Sequence, residues 1–132
     1  MPPEERFPPD DPREWLRFAR ADLALAEARV SGVDMELFAF HAQQAAEKAV
    51  KAVLIRRDVE FPYTHNLNRL LRLASDAGVQ IPPEVDEAKA LSVYAVTTRY
   101  PSPPDEQMEE QELADALRIA ETVLRWAERE IG

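Results

Sequence analysis

Apolar residues recur every three or four positions in five segments of this chain, a spacing that predicts five amphipathic α-helices. In the first segment, Asp11 is the predicted N-cap, Pro12 takes the first helical position, and Glu14 completes a capping box. Gly32 is expected to end this helix, because glycine is common just beyond a helix C-terminus. The predicted apolar stripe comprises Leu16, Ala19, Leu23, Ala26 and Val30.

The second and third helices are predicted on either side of a loop around Pro62. The second runs from the cap Asp34 to about Arg57 and contains neither glycine nor proline. The third opens with Thr64 as its cap and stops at Gly78. Its predicted buried face comprises Leu67, Leu70, Leu71 and Ala74.

The last two helices flank the proline-rich segment "RYPSPPDEQ". The fourth helix is predicted to begin at Pro83 or Glu84, and the fifth runs from about Glu106 to Ile131. The inward-facing residues of the fourth are Val85, Ala88, Leu91 and Ala95. The fifth has an apolar face wide enough for two neighbouring helices or a second subunit. Without a convincing strand pattern, the sequence predicts an all-α fold: an up-and-down antiparallel bundle of about five helices with a four-helix-bundle-like core.

Length and composition favour one domain over residues 11–132, preceded by a flexible, Pro-rich segment over residues 1–10. At 45% hydrophobic residues, the chain of 132 residues can bury a core. It has no apolar run of about 20 residues and no signal-peptide pattern, so we expect no membrane association and a cytoplasmic location. Cysteine is absent, which excludes a disulfide scaffold and a thiolate site.

Two neighbouring stripes follow the second helix. One is small and apolar, and the other carries His41, Gln44, Lys48 and Lys51. The polar stripe has two interpretations. It is either an ordinary solvated face, with Glu47 and Lys51 as an i,i+4 ion pair, or a surface for an anion. In the second case Lys48 contacts a phosphate, and His41 and Gln44 donate hydrogen bonds.

The charge distribution bears on this choice. The net charge of −9 argues against non-specific nucleic-acid binding over the whole surface. Residues 41–72 reverse the sign, since their acids are Glu47, Asp58 and Glu60 whereas their cations are Lys48, Lys51, Arg56, Arg57, Arg69 and Arg72. This segment is either reserved for an anion or acidic partner, or covered by the acidic helices.

Several kinds of chemistry are excluded by motif. No Glu-x-x-His pair exists for a di-metal site, and two histidines without cysteine do not predict zinc. The three glycines stand at helix ends, so P-loop, dinucleotide-binding and nucleophile-elbow motifs are absent. We therefore expect no cofactor, no metal and no catalytic residue. His65 is interpreted as structural, bonded to a neighbouring carboxylate or carbonyl, and Trp15 and Phe40 as core residues.

Three blocks in sequence order resemble the HEPN domain family: "FHAQQAAEKAVKAVLI" from Phe40, "HNLNRLL" from His65 and "YAVTTRYP" from Tyr94, ahead of a long acidic C-terminal helix. The resemblance covers residues Trp15 to Trp126. It implies a helical bundle similar to the substrate-binding part of some antibiotic-modifying nucleotidyltransferases. Small members often pair with a minimal nucleotidyltransferase in a toxin–antitoxin-like arrangement. Other members are metal-independent ribonucleases, and dimers are usual.

The ribonuclease members use an Arg followed, after four to six residues, by a His near the start of the last long helix. Here no His follows Arg99, and the run from Arg57 to His65 is too long and lies in another loop. Cleavage needs a base near the 2′-hydroxyl and a cation on the phosphate. Because the base position is vacant, the sequence departs from the ribonuclease pattern.

The resemblance and the stripe together predict a non-catalytic HEPN protein, a homo-oligomer, that binds nucleotide or substrate for a minimal nucleotidyltransferase. The predicted ligand-binding residues are His41, Gln44, Lys48, Lys51, Arg99 and Tyr100. RNA is a less favoured ligand than nucleotide. Two alternatives stay open: a ribonuclease toxin that uses His41 or His65 with an arginine from elsewhere in a dimer, and an interaction module without nucleotide affinity.

Overall fold

A computed structural model describes residues 6–97 and 107–132 of the chain, and within these ranges it contains helices and loops but no strand. The three long helices are α1 (Pro12–Glu27), α2 (Met35–Arg56) and α6 (Glu110–Ile131). The predicted all-α bundle is confirmed. No helix in the described ranges is both long and apolar enough to cross a membrane.

Helix α2 is the centre of the bundle and packs against α1, α6 and the shorter helix α3 (Leu67–Asp76). Its inward face is built from small side chains that are fully buried: Ala42, Ala45, Ala46, Ala49 and Ala52. Alanine has a high helix propensity and little volume, so these positions stabilise α2 and let neighbouring helices approach closely. The core against them is formed by leucine and valine side chains of α1, α3 and α6.

Ion pairs between the long helices show in which directions these helices run. Arg20 pairs with Glu128 and Arg29 with Glu110, so α1 and α6 run antiparallel. Arg57, just past the end of α2, pairs with Glu130 near the end of α6, so these two helices run parallel. The chain between them must therefore return to the other end of the bundle, which gives the up-and-down order.

The returning segment comprises α3 (Leu67–Asp76), α4 (Pro83–Asp86), a 3₁₀ helix (Glu87–Val93) and α5 (Tyr94–Thr97). The predicted fourth helix thus starts at Pro83 as expected but is divided into three pieces. Its apolar residues explain the 3₁₀ section, because Val85, Ala88 and Leu91 are spaced by three. A period of three residues per turn keeps all of them on one side, and all three are buried.

Three helix boundaries differ from the sequence prediction. Helix α1 ends at Glu27, and Val30 lies outside it with 57% of its surface exposed. Helix α3 begins three residues after Thr64 because the Asn66 side chain is the cap and accepts a hydrogen bond from the Arg69 amide at 3.2 Å. Helix α6 begins at Glu110, later than predicted.

Candidate functional site

Helices α1 and α2 are joined through the carboxylate of Asp22. Lys48 Nζ donates a hydrogen bond to Asp22 Oδ2, and His41 Nδ1 lies 3.2 Å from Asp22 Oδ1. A carboxylate only accepts hydrogen bonds, so the Nδ1 atom carries the proton in this contact. The Lys48 side chain is 23% exposed and that of His41 33%. These three residues, the Asp22 cluster, therefore form an ordered polar site that solvent and ligands can reach.

A second carboxylate, Glu47, makes a similar arrangement deeper in the fold. Lys51 Nζ donates to Glu47 Oε2 at 3.1 Å, and His65 Nδ1 lies 2.8 Å from Glu47 Oε1. Gln43 Nε2 donates to the same oxygen at 3.1 Å. The Lys51 and Glu47 side chains are only 7% and 3% exposed. We call this group the Glu47 cluster (Glu47, Lys51, His65), and in it the predicted contact of His65 with a neighbouring carboxylate is present.

The surroundings of Lys51 are aromatic. Its ammonium lies 5.8 Å from the Trp15 ring centroid and 5.7 Å from that of Phe61, distances typical of cation–π contacts. Trp15 and Phe61 meet edge to face, with ring centroids 6.3 Å apart. Lys51 is therefore enclosed by two rings and one carboxylate, and its charge is satisfied inside the protein.

The remaining predicted ligand-binding residues divide into two groups. Gln44 is half-buried next to the polar stripe, and its Nε2 donates to Gln43 Oε1 at 2.7 Å. Arg99 and Tyr100 lie outside the described residues. The structure therefore places His41 and Lys48 at the Asp22 carboxylate and Lys51 at the Glu47 carboxylate.

A groove of about 530 Å³ opens beside the Asp22 cluster. It lies between the beginning of α1 and the N-terminal strap, which we define as residues 6–10, and Lys48 is at its edge. The residues that line this aromatic groove are Arg6, Phe7, Pro9, Glu14, Trp15, Phe18 and Lys48. Four of the seven lining residues are apolar, and the charged ones are two cations, Arg6 and Lys48, and one carboxylate, Glu14, a composition suited to a ligand with a ring and a negative charge.

The strap is tied to α1 by Glu14. The Phe7 amide donates to Glu14 Oε2 at 2.9 Å, and the Arg6 Nε atom lies 3.2 Å from Glu14 Oε1. Arg17 donates to the same carboxylate at 2.7 Å. The hydrogen bond from Arg17 and that from the Phe7 amide lower the pKa of Glu14 to about 2, so the carboxylate is charged at neutral pH.

Comparison with known proteins identifies the fold family. The family model of the HEPN domain matches residues 12–130.

The chain belongs to the HEPN family.

The HEPN fold is also that of two similar crystal structures. ST0689, described as an archaeal HEPN homologue, is 27% identical, with a TM-score of 0.74 over 92% of this chain and 98% of that one. TT1696 from Thermus thermophilus is 30% identical, with a TM-score of 0.75 over 90% of this chain and 97% of that one. No significant match is found among curated protein sequences.

Sequence reasoning missed two parts of the site. Asp22 was assigned to no role, although it anchors both His41 and Lys48. A signal for it exists, because Asp22 follows Ala19 by three positions and stands next to Leu23, at the edge of the apolar stripe of α1. The aromatic groove was also missed, because Trp15 packs against the core, as expected, but is only half-buried and lines the groove as well.

Proposed function

We propose that this HEPN protein is a non-catalytic subunit that binds a nucleotide at the Asp22 cluster and serves a minimal nucleotidyltransferase in a toxin–antitoxin-like pair. The observation that carries the binding site is the position of Lys48. It is the one lysine of the polar stripe that is both held in place by a carboxylate and open to a groove. An ammonium group fixed at such an edge is suited to a phosphate.

The chemistry of the cluster supports binding rather than catalysis. His41 directs its Nδ1 toward Asp22, so Nε2 is the ring nitrogen left to hydrogen-bond a ligand. The Arg and His spacing of the ribonuclease members is absent from the sequence. The site therefore offers a cation and a polar ring for an anion, and no activated nucleophile accompanies them.

Calorimetric titration with ATP, GTP and CTP tests this proposal. Saturable binding is expected for the parent, with a loss of at least about tenfold in Lys48→Ala, because one charge-assisted contact contributes roughly 1.5–3 kcal/mol. Lys89→Ala is the matched control. Lys89 is also paired with a carboxylate, Asp86, at 2.8 Å, but it lies away from the groove.

The outcomes separate the two parts of the assignment. Equal binding by Lys48→Ala and the parent overturns the role of Lys48. No heat from any nucleotide overturns binding by the isolated chain. The partnership is tested separately, by co-purification of this chain with a co-expressed minimal nucleotidyltransferase and with an unrelated nucleotidyltransferase as control.

A homo-oligomer is part of the same proposal. Four large apolar side chains are exposed around the α1–α2 turn: Leu25, Val30, Val33 and Leu37. Several large exposed apolar residues in one part of a fold often mark protein–protein contacts. Gel filtration with light scattering measures the state directly, and a monomer at high concentration contradicts it.

One observation favours a second function, ribonuclease activity at His65. Its side chain is 34% exposed, and buried Glu47 orients Nδ1, an arrangement that general bases use. Incubation of mixed RNA with the protein in EDTA tests this alternative. Cleavage by the parent that is lost in His65→Ala, and retained in His41→Ala, would establish it.

A further inference from the structure

Phe18 is an exposed aromatic side chain in the lining of the groove. It lies on α1 with 43% of its surface exposed, so it contributes little to the bundle core. Two cations lie against its ring: Arg17 Cζ is 4.7 Å from the centroid and Lys48 Nζ is 5.7 Å away. An exposed aromatic ring next to fixed positive charges is suited to a planar ligand that carries negative charge.

Trp15 supplies a second aromatic surface in the same groove. Its indole Nε1 donates to the Pro9 carbonyl oxygen at 2.7 Å, so the polar edge of the ring is already satisfied by the strap. The contact that Trp15 can offer a ligand is therefore the apolar part of its ring. Such a contact depends on shape and stacking and is tolerant of which base is bound.

The local charge agrees with an anionic occupant. The charged residues that line the groove are Arg6, Lys48 and Glu14. Their ion-pair partners next to it add one cation, Arg17, and one carboxylate, Asp22. Counting these side chains, three positive and two negative, the groove has an excess of one positive charge, in a protein whose net charge is −9. On an otherwise acidic protein, this local positive excess is what attracts an anion to the groove.

We propose that the aromatic groove binds the base of a nucleoside phosphate, with the base stacked on Phe18 and beside Trp15 and the phosphate toward Lys48. This inference rests on the proposed function and adds to it the part of the ligand that the Asp22 cluster does not contact. Because stacking increases with ring size, purine nucleotides bind more tightly than pyrimidine nucleotides.

Fluorescence and calorimetry with two ligands test this assignment: ATP, and inorganic tripolyphosphate, which has the charge but no base. ATP is expected to quench the emission of Trp15, whereas Trp126 is only 2% exposed and is not expected to respond. Phe18→Ala should weaken ATP by about 5- to 100-fold, the range of base–aromatic stacking, and leave tripolyphosphate unchanged.

Matched variants separate stacking from general loss of apolar surface. Val93→Ala removes an exposed apolar side chain of the 3₁₀ helix, 50% exposed and not part of the groove lining, and should bind ATP as the parent does. Phe18→Leu keeps an apolar group without the ring and should be weakened like Phe18→Ala, whereas Phe18→Tyr should retain affinity. Far-UV circular dichroism confirms that each variant is folded.

The results distinguish this inference from the function it rests on. If Lys48→Ala loses ATP while Phe18→Ala and Phe18→Leu bind it normally, the stacking site is wrong and nucleotide binding stands. If tripolyphosphate binds the parent as tightly as ATP does, the site recognises phosphate alone and the stacking site is again wrong. If no nucleotide binds, both proposals are overturned.

Discussion

The Asp22 cluster and the Glu47 cluster contain the same three kinds of side chain in two different environments. In each, one carboxylate contacts one lysine and the Nδ1 atom of one histidine. Lys48 is 23% exposed, whereas Lys51 is 7% exposed and lies between Trp15 and Phe61. The same kinds of side chain therefore occur at two depths in the fold, and depth sets how far water and a ligand can reach each lysine.

The Glu47 cluster, which is the inner of the two, connects two parts of the fold. Glu47 connects α2 to His65, which precedes α3, so it anchors the loop between these helices. A buried carboxylate and a buried ammonium each need the other, because either one alone has lost its water without compensation. The Asp22 cluster, which is the outer of the two, connects α1 to α2. Its side chains lose less of their hydration than those of the inner cluster, so they remain accessible to a ligand.

The largest expected effect is on stability and follows from removing the inner carboxylate. Glu47→Ala leaves Lys51 buried without its partner, and we expect the free energy of unfolding to fall by about 3–5 kcal/mol. Urea denaturation measures it. The control is Glu121→Ala, which breaks the exposed pair with Arg125 and should cost less than about 1 kcal/mol. Equal losses in both variants would contradict the structural role of the inner cluster.

A double variant sharpens the same comparison. Glu47→Leu with Lys51→Met replaces the buried ion pair by apolar groups of similar size, which is often close to neutral. We expect the double variant to unfold at higher urea concentration than Glu47→Ala, although His65 still loses its partner. A double variant less stable than the single one would show that the charge of Lys51 is needed for another contact.

A smaller effect is expected at the outer cluster. Asp22→Ala removes the partner of both Lys48 and His41, and we expect a loss of about 1–2 kcal/mol in the free energy of unfolding. The part-exposed side chains of Lys48 and His41 then reach water, so the penalty is less than for the inner cluster. Urea denaturation of Asp22→Ala beside Glu47→Ala measures the difference. A loss at Asp22 equal to that at Glu47 would contradict the assignment by depth.

The smallest effect is expected at a third carboxylate, Glu14, which is tied to two arginines and to the Phe7 amide. Its pKa is lowered from 4.5 to about 2, so its contribution is fully present above pH 4.5 and is lost as pH falls through about 2. Titration of Trp15 fluorescence between pH 6 and pH 4 should therefore show no release of the strap. Glu14→Gln should already show the released signal at neutral pH, and a signal equal to the parent's would contradict the tie.

The sequence predicts most of the fold because its signals are local. The apolar spacing of the long helices and the start of α4 at Pro83 are read from neighbouring residues and are confirmed. The errors are local as well. Asn66 and Thr64 are both good caps, and only the backbone geometry selects Asn66. Val30 continues the apolar spacing of α1 but follows Arg29, whose φ of 50° has left the helix.

The candidate site is less predictable, since it depends on residues far apart in the sequence. Asp22 and His41 are 19 positions apart, and Glu47 and His65 are 18 apart. No local sequence pattern predicts which of these residues contact each other. The interpretation of Glu47 and Lys51 as an i,i+4 pair is confirmed, but the pair is buried and is not part of a solvated face.

The sequence alone therefore determined the family, the all-α architecture and the helix that carries the polar stripe, because these follow from periodicity and short motifs. The tertiary structure decided which lysine is available. Lys48 and Lys51 stand about 60° apart around α2, since each residue turns the helix by about 100°. That small rotation places the Lys51 ammonium next to Trp15 and Phe61 and the Lys48 ammonium at the groove. The positions of Trp15 and Phe61 depend on the packing of α1 and of the α2–α3 loop, which is a property of the tertiary structure.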